Sequence, residues 1–375
     1  MRAWPRSSRP LPRRGGLALA ALLVALWPAP LAAQDWLLLG GLANIKGWAT
    51  DSGSTLLTHN NGHPGGLGQL YLWGGVALPA HMQVVSMLEG HGGDASQDGS
   101  EIYLQQLVLR FRPSPAVGIV AGKWASPVGA YANRRLPNTN PLIGDPDAYP
   151  TAYPWGAEAS GLVGSFDYRA ALVSLPVTRE GYLPDPTPAL RPALGAGFTP
   201  TVGLRVGASF TAGPYLNDTL PATLLAGRTW NDYRQRIVAF DAEFSRGYAE
   251  VHAELAVSSY DVPGQANAVT GYAYYGELKY TWTPRFYTAV RLEQNDYPFI
   301  RPAGGAWVAR TTNMYNGEAG VGYRLNRAAL VKLSFRKDAH WGVDPAVRSF
   351  VPDGNALAVQ FSYTFDVVSL LQGVR

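Results

Sequence analysis

From residue 357 to 365, large apolar side chains alternate with small or polar ones. Leu357, Val359, Phe361, Tyr363 and Phe365 share one face, and Ala358, Gln360, Ser362 and Thr364 share the other. Period two is the signature of a strand with two unlike faces. It recurs at 202–212, where Val202, Leu204, Val206, Ala208 and Phe210 oppose Gly203, Arg205, Gly207, Ser209 and Thr211. The pattern returns around Val251–Val257, Phe286–Leu292 and Ala329–Phe335. Read this way, the chain predicts about sixteen strands, near 36–47, 68–78, 82–91, 101–112, 116–124, 158–166, 168–175, 192–199, 202–212, 235–245, 248–259, 270–282, 285–295, 314–324, 328–338 and 356–365. Even-numbered strands reach their successors through tight links such as Pro79-Ala80, Arg246-Gly247 and Asn326-Arg327. Odd-numbered strands are followed by loops of about 8 to 33 residues, lengths that are uncommon in a compact domain unless the loop has a function.

Two closures are compatible with alternation. A secreted sandwich or propeller turns its polar face outward. A membrane barrel does the reverse, with an apolar belt outside and a polar lumen, short turns at one end and long loops at the other. The sorting of the connections favours the barrel, expected as an all-β, transmembrane antiparallel β-barrel of about 16 strands. In hydrocarbon every backbone N–H and C=O needs an internal partner, so a sheet can span only when closed. Phe111, Phe198, Phe244, Trp282, Phe286, Tyr323, Tyr363 and Phe365 fall at the tight-turn ends, where aromatics form an interfacial girdle.

Charge alters the picture at the N-terminus. The whole chain carries 31 basic and 27 acidic residues, a formal +4. Five of the arginines lie in the first 14 residues, ahead of an apolar run from Leu17 to about Trp27, Pro28, Pro30 and Ala32-Ala33. A basic start, a short apolar run and a small-residue end read as a secretory signal over 1–33, and the run is too short for a spanning helix. Without those residues 26 basic face 27 acidic, a net −1, which leaves nucleic-acid binding unsupported. The expected body is 34–375, and no stretch in it approaches 18 apolar residues. Zero Cys excludes disulfides and Cys-ligated metal or iron–sulfur sites.

With its strand count, its turn–loop alternation and a last strand ending in Phe365, the chain resembles the Gram-negative outer-membrane porins, of the 16-stranded general or phosphate-selective type. Asp366–Arg375, a short tail after that aromatic, depart from the family's ending. The segment Leu109-Arg110-Phe111-Arg112-Pro113-Ser114-Pro115 through Gly122-Lys123-Trp124 looks like the strand–turn–strand that precedes the third loop of phosphate-selective porins, without their dense Lys/Arg ladder. The resemblance implies an outer-membrane location amid lipid, a homotrimer, and an inward-folded third loop, here 125–157, that narrows the pore. Pro127, Pro137, Pro141, Pro146, Pro150 and Pro154 restrict that loop.

Alternation turns Arg205, Asp241, Glu243, Glu250, His252, Glu254, Glu277, Lys279, Arg291, Glu293, Lys332 and Arg336 toward the lumen, with Arg110, Lys123 and Arg169. A midplane Lys or Arg facing lipid would cost about 2–4 kcal/mol. Near the constriction, Lys123, Arg134, Arg135, Arg291, Lys332 and Arg336 form the expected cationic side. Asp145, Asp147, Glu254, Glu293 and Glu318 form the expected anionic side. Opposed charges tune ion selectivity; the alternative is that they pair with one another and keep the lumen wet.

Catalytic signals are weak. No HExxH, GxSxG or P-loop spacing occurs, and no Ser–His pair marks a barrel-rim phospholipase. Glu250-x-His252-x-Glu254 fits a lumen charge cluster better than a metal or acid–base site, and Asp94, Asp98 and Glu101 resemble a calcium loop only loosely. No cofactor, metal or enzymatic activity is expected. The reading is a channel for passive diffusion of small hydrophilic solutes or ions. The alternatives are a channel selective for an anion, phosphate or a sugar, and a non-channel barrel acting as enzyme or adhesin.

Overall fold

A computed structural model describes residues 36–51, 64–93, 100–146, 153–174, 190–215, 224, 226–263, 267–296, 313–340 and 353–367. The expected signal, Asp147, Asp94, Asp98 and most of the tail lie outside them. Sixteen strands form one closed antiparallel barrel, each pairing with its sequence neighbours. They are β1 Leu37–Thr50, β2 Gly65–Leu78, β3 Met82–Gly93, β4 Ser100–Ser114, β5 Val117–Lys123, β6 Trp155–Val163, β7 Phe166–Ser174 and β8 Leu190–Thr201. The second half continues with β9 Leu204–Pro214, β10 Arg234–Arg246, β11 Ala249–Tyr260, β12 Val269–Thr281, β13 Phe286–Asp296, β14 Met314–Arg324, β15 Ala329–His340 and β16 Gly354–Asp366. Closure comes from β1 against β16, in register from Gly40 opposite Asp366 to Thr50 opposite Ala356.

The strand count matches the alternation, several strand ends shift by up to three residues, and the turn between β6 and β7 moves. The strands expected at 158–166 and 168–175 are Trp155–Val163 and Phe166–Ser174. The turn between them is Gly164-Ser165, with Gly164 at φ 60°, a left-handed conformation that glycine adopts without a Cβ clash. Gly247, at φ 63°, does the same between β10 and β11. The shortest of the longer connections, 94–99 between β3 and β4, falls below the expected lower length.

Burial is inverted relative to a water-soluble protein. On β16, Leu357 is 53% exposed and Val359 49%, whereas Gln360 and Ser362 are each 1% exposed. Leu333 and Phe335 of β15 are exposed while Lys332, Ser334 and Arg336 between them are buried. Apolar side chains therefore face outward around the wall, as a hydrocarbon surrounding requires.

One irregularity preserves this arrangement. Across β3 and β4 the register slips, with Met87 opposite Gln106 but Leu88 opposite Leu104, so Gln105 is an extra residue. Gln105 and Val108 are both buried, and Leu107 and Leu109 are exposed. Without this bulge, strict alternation from Gln105 would turn Leu107 and Leu109 into the lumen.

A groove of about 1090 Å³ lies on the outer face of β10–β12, between Phe240, Leu255, Val257, Tyr272 and Tyr274.

Candidate functional site

The third long connection joins β5 to β6 and carries one short 3₁₀ turn, Tyr131–Arg134. Its backbone and side chains bond to the interior face of the wall in two places. At the first, Gly129 N donates to Ser209 Oγ at 3.0 Å and Ala130 N to Glu254 Oε2 at 3.0 Å. Arg169 donates to Gly129 O at 3.2 Å, and Tyr275 donates its hydroxyl to Glu254 Oε1 at 2.6 Å. Arg134 reaches Glu277 at 2.9 Å and Tyr275 Oη at 3.2 Å.

The second place holds residues 140–145. Ile143 N and Gly144 N both donate to Glu318 Oε1, at 3.0 and 3.1 Å. Successive backbone N–H groups converging on one carboxylate make an anion nest. Lys332 Nζ donates to Asn140 O and Leu142 O, each at 2.8 Å, and Arg291 Nη2 donates to Gly144 O at 2.6 Å. Apolar contacts accompany these bonds. Leu142 clusters with Tyr287, Ala289 and Leu330, and Ile143 with Trp48, Leu67, Ala356 and Ala358. Within the loop, Tyr131 donates to Asp145 at 2.5 Å, and Asn140 Nδ2 reaches Tyr131 Oη, Gly144 O and Asp145 Oδ1.

The wall beneath the loop is a row of opposite charges in register. Glu277 stands opposite Arg291, Arg291 opposite Glu318, and Glu318 opposite Arg336. Opposite-charge pairs directly across strands stabilise a sheet. Arg291 binds Glu277 at 3.1 Å and Glu318 at 2.8 Å; Arg336 binds Glu293 at 3.2 Å and Asp338 at 2.8 Å. Each of these six side chains is buried. A second cluster joins Arg205 to Asp167 and Asp241, and Lys279 pairs with Glu250 at 2.6 Å.

Against the two sides expected from sequence, Arg134, Arg291, Lys332 and Arg336 meet carboxylates or loop carbonyls directly. Glu254, Glu293 and Glu318 are taken up in the same contacts. Lys123 is buried and donates to Leu104 O at 2.7 Å. Arg135 and Asp145 are 3.5 Å apart, with side chains 26% and 46% exposed. Asp147 is outside the described residues. The crowding of protein around Asp145 opposes its charge, but Arg135, Lys46 and the Tyr131 hydroxyl outweigh it and hold the carboxyl below its ordinary range. Burial pushes the Tyr131 hydroxyl well above its usual range, so it remains a donor at neutral pH.

Contributors that went unread in sequence include Asn140, which braces the loop; Asp338, the partner of Arg336; Tyr275, bonded to Glu254 and Arg134; Asp167, the partner of Arg205; and Lys46 on β1. Period two from Arg336 would have placed Asp338 inward. Among the described residues no group of three or more His, Asp or Glu could hold a metal ion.

Gly320, on β14, lies where loop and wall touch. A Cβ there would come within 2.7 Å of Ser334 Oγ, 2.8 Å of Leu333 O and 3.0 Å of Leu142 Cδ2. Gly320→Leu should therefore push Leu142 off the wall while the barrel closes. The expected result is a heat-modifiable band on gels, with limited proteolysis cutting near residue 142 at least several-fold faster than in the wild type. Equal cleavage rates would mean that the loop does not depend on this contact.

Comparison with known proteins places the architecture. No family model matches the sequence, and no curated protein matches it. Among solved structures, Salmonella typhi OmpF in complex with daunomycin is similar over 88% of this chain and 97% of that one, at 15% identity and a TM-score of 0.60. Outer-membrane expressed OmpT of Vibrio cholerae is similar over 90% of this chain and 100% of that one, at 11% identity and a TM-score of 0.57. At such identities the likeness is one of fold: a closed 16-strand barrel of the kind found in outer-membrane proteins.

Proposed function

We propose that this chain is an outer-membrane porin, a water-filled channel for passive diffusion of small hydrophilic solutes or ions. The observation that carries the reading is the loop between β5 and β6. It is bonded to interior side chains of β7, β9 and β11–β15, an arrangement that would set it across the lumen as a constriction. A loop docked this way narrows a pore without closing the barrel's ends, and solutes are then sorted first by size. Charge acts second, because most interior carboxylates already have a cation or a cluster of N–H and O–H donors.

No covalent step belongs to this mechanism, and the protein works as a channel rather than as an enzyme. We also propose a homotrimer, resting on the porin resemblance.

The test is conductance. Purified protein that shows heat-modifiable gel migration should insert into planar lipid bilayers in discrete steps of equal size. Folded protein that inserts without conducting would overturn the channel. Cross-linking before denaturation checks the assembly, with a band at three times the chain mass expected.

A further inference from the structure

A charge already neutralised at the wall discriminates poorly between passing ions, so preference is set by the charges left over. Arg134, Arg291 and Arg336 are each matched by carboxylates. Lys332 is buried and spent on two loop carbonyls. Lys46 differs from all of these. It lies on the interior face of β1, in the alternating set with Asn44 and Trp48, and its cross-strand neighbours are the uncharged Leu67 and Gln360. Lys46 is half-buried. Among the described residues it has neither a salt bridge nor a hydrogen bond.

Beside it is the loop, where Arg135 and Asp145 keep part of their side chains in solvent. Lys46 is near enough to Asp145 to favour its ionised form. Glu89 on β3 is 3% exposed and accepts hydrogen bonds from the amides of Gln69 and Gln105. The partly exposed described charges at this level are thus Lys46, Arg135 and Asp145: two cations and one anion. Arg110 and Arg112 are elsewhere, toward the tight-turn end of β4.

We propose that Lys46 is the residue that sets the ion preference of the pore, and that the preference is for small anions over cations. The inference rests on the channel reading above. One unit charge about 4–8 Å from an ion in water changes its population by about two- to sixfold, and salt screens the effect.

The test uses the full protein in planar bilayers under a potassium chloride gradient at low ionic strength. Wild type should show a reversal potential on the chloride side. Lys46→Glu should shift it toward potassium by at least twofold in permeability ratio. Lys46→Gln should fall between the two, and Lys46→Arg should keep the wild-type value. Because Lys46 has no hydrogen bond or salt bridge among the described residues, all three variants should fold, as heat-modifiable migration will report. A conducting Lys46→Glu channel with the wild-type reversal potential would overturn the assignment, as would a wild type preferring potassium. Folded wild type that never conducts would overturn the channel reading itself, and this inference with it.

Discussion

Replacing Arg291 with methionine is expected to destabilise the folded barrel by about 3–5 kcal/mol, the usual cost of removing one partner from a buried ion pair. It should also raise single-channel conductance. Arg291 is 1% exposed and contacts Glu277, Glu318 and Gly144 O together. Methionine fills much of the same volume but leaves buried Glu318 without its salt bridge and Glu277 with Arg134 alone. The loop loses a donor to Gly144 O, and the nest around Glu318 loses the guanidinium that braces it. The measurement is the urea midpoint of refolding into lipid vesicles, together with conductance. Adding Glu277→Gln and Glu318→Gln to Arg291→Met should recover part of the stability, since neutral amides leave no bare charge behind. An unchanged midpoint for the single variant would mean that water already solvates this cluster.

A charge placed on the outer face should cost about as much for a different reason. Leu333→Arg is expected to cost about 2–4 kcal/mol near the bilayer midplane and to reduce the folded fraction in vesicles accordingly. Leu333 is 47% exposed, at mid-strand in β15. Lys332, one residue away at nearly the same depth, avoids the hydrocarbon because it faces inward to Asn140 O and Leu142 O. The face, not the depth, decides the penalty. Urea titration in vesicles reads the difference, with Leu333→Ile as the control for packing. A Leu333→Arg variant as stable as that control would mean that the outer face does not meet hydrocarbon.

Much of the barrel was legible because its signals are local. Period two along β15 and β16, with turn residues after every even strand, was enough to count strands and to sort side chains into two faces. The misplaced edges of β6 and β7 have a local cause as well. Tyr153-Pro154-Trp155-Gly156 reads as loop chemistry, yet Trp155 and Gly156 pair with Ser174 and Val173. Glycines at 161 and 164 offer two sites for the turn, and pairing across the strands selects the second.

The charged residues show where local reading stops. Alternation put Arg291, Glu293, Lys332 and Arg336 inside, and Glu277 with them. Whether Arg291 would meet Glu277 and Glu318 depended on register, and a one-residue slip would have changed every partner. The bulge at Gln105 had no distinct sequence signal, because Gln105 and Gln106 are equally polar and only pairing with β3 selects the extra residue.

From sequence alone follow the fold class, the strand order and the identity of the apolar face, since each depends on neighbours two residues apart and on the turns that separate them. Tertiary structure alone decided how the loop docks and which charges stay free. Lys332 meets Asn140 across 192 residues of chain, and Ile143 meets Glu318 across 175. No period along the chain carries information over such a span. The partners are set by barrel closure and by the need to satisfy buried charges, and among the described residues those contacts leave Lys46 without a hydrogen bond or salt bridge.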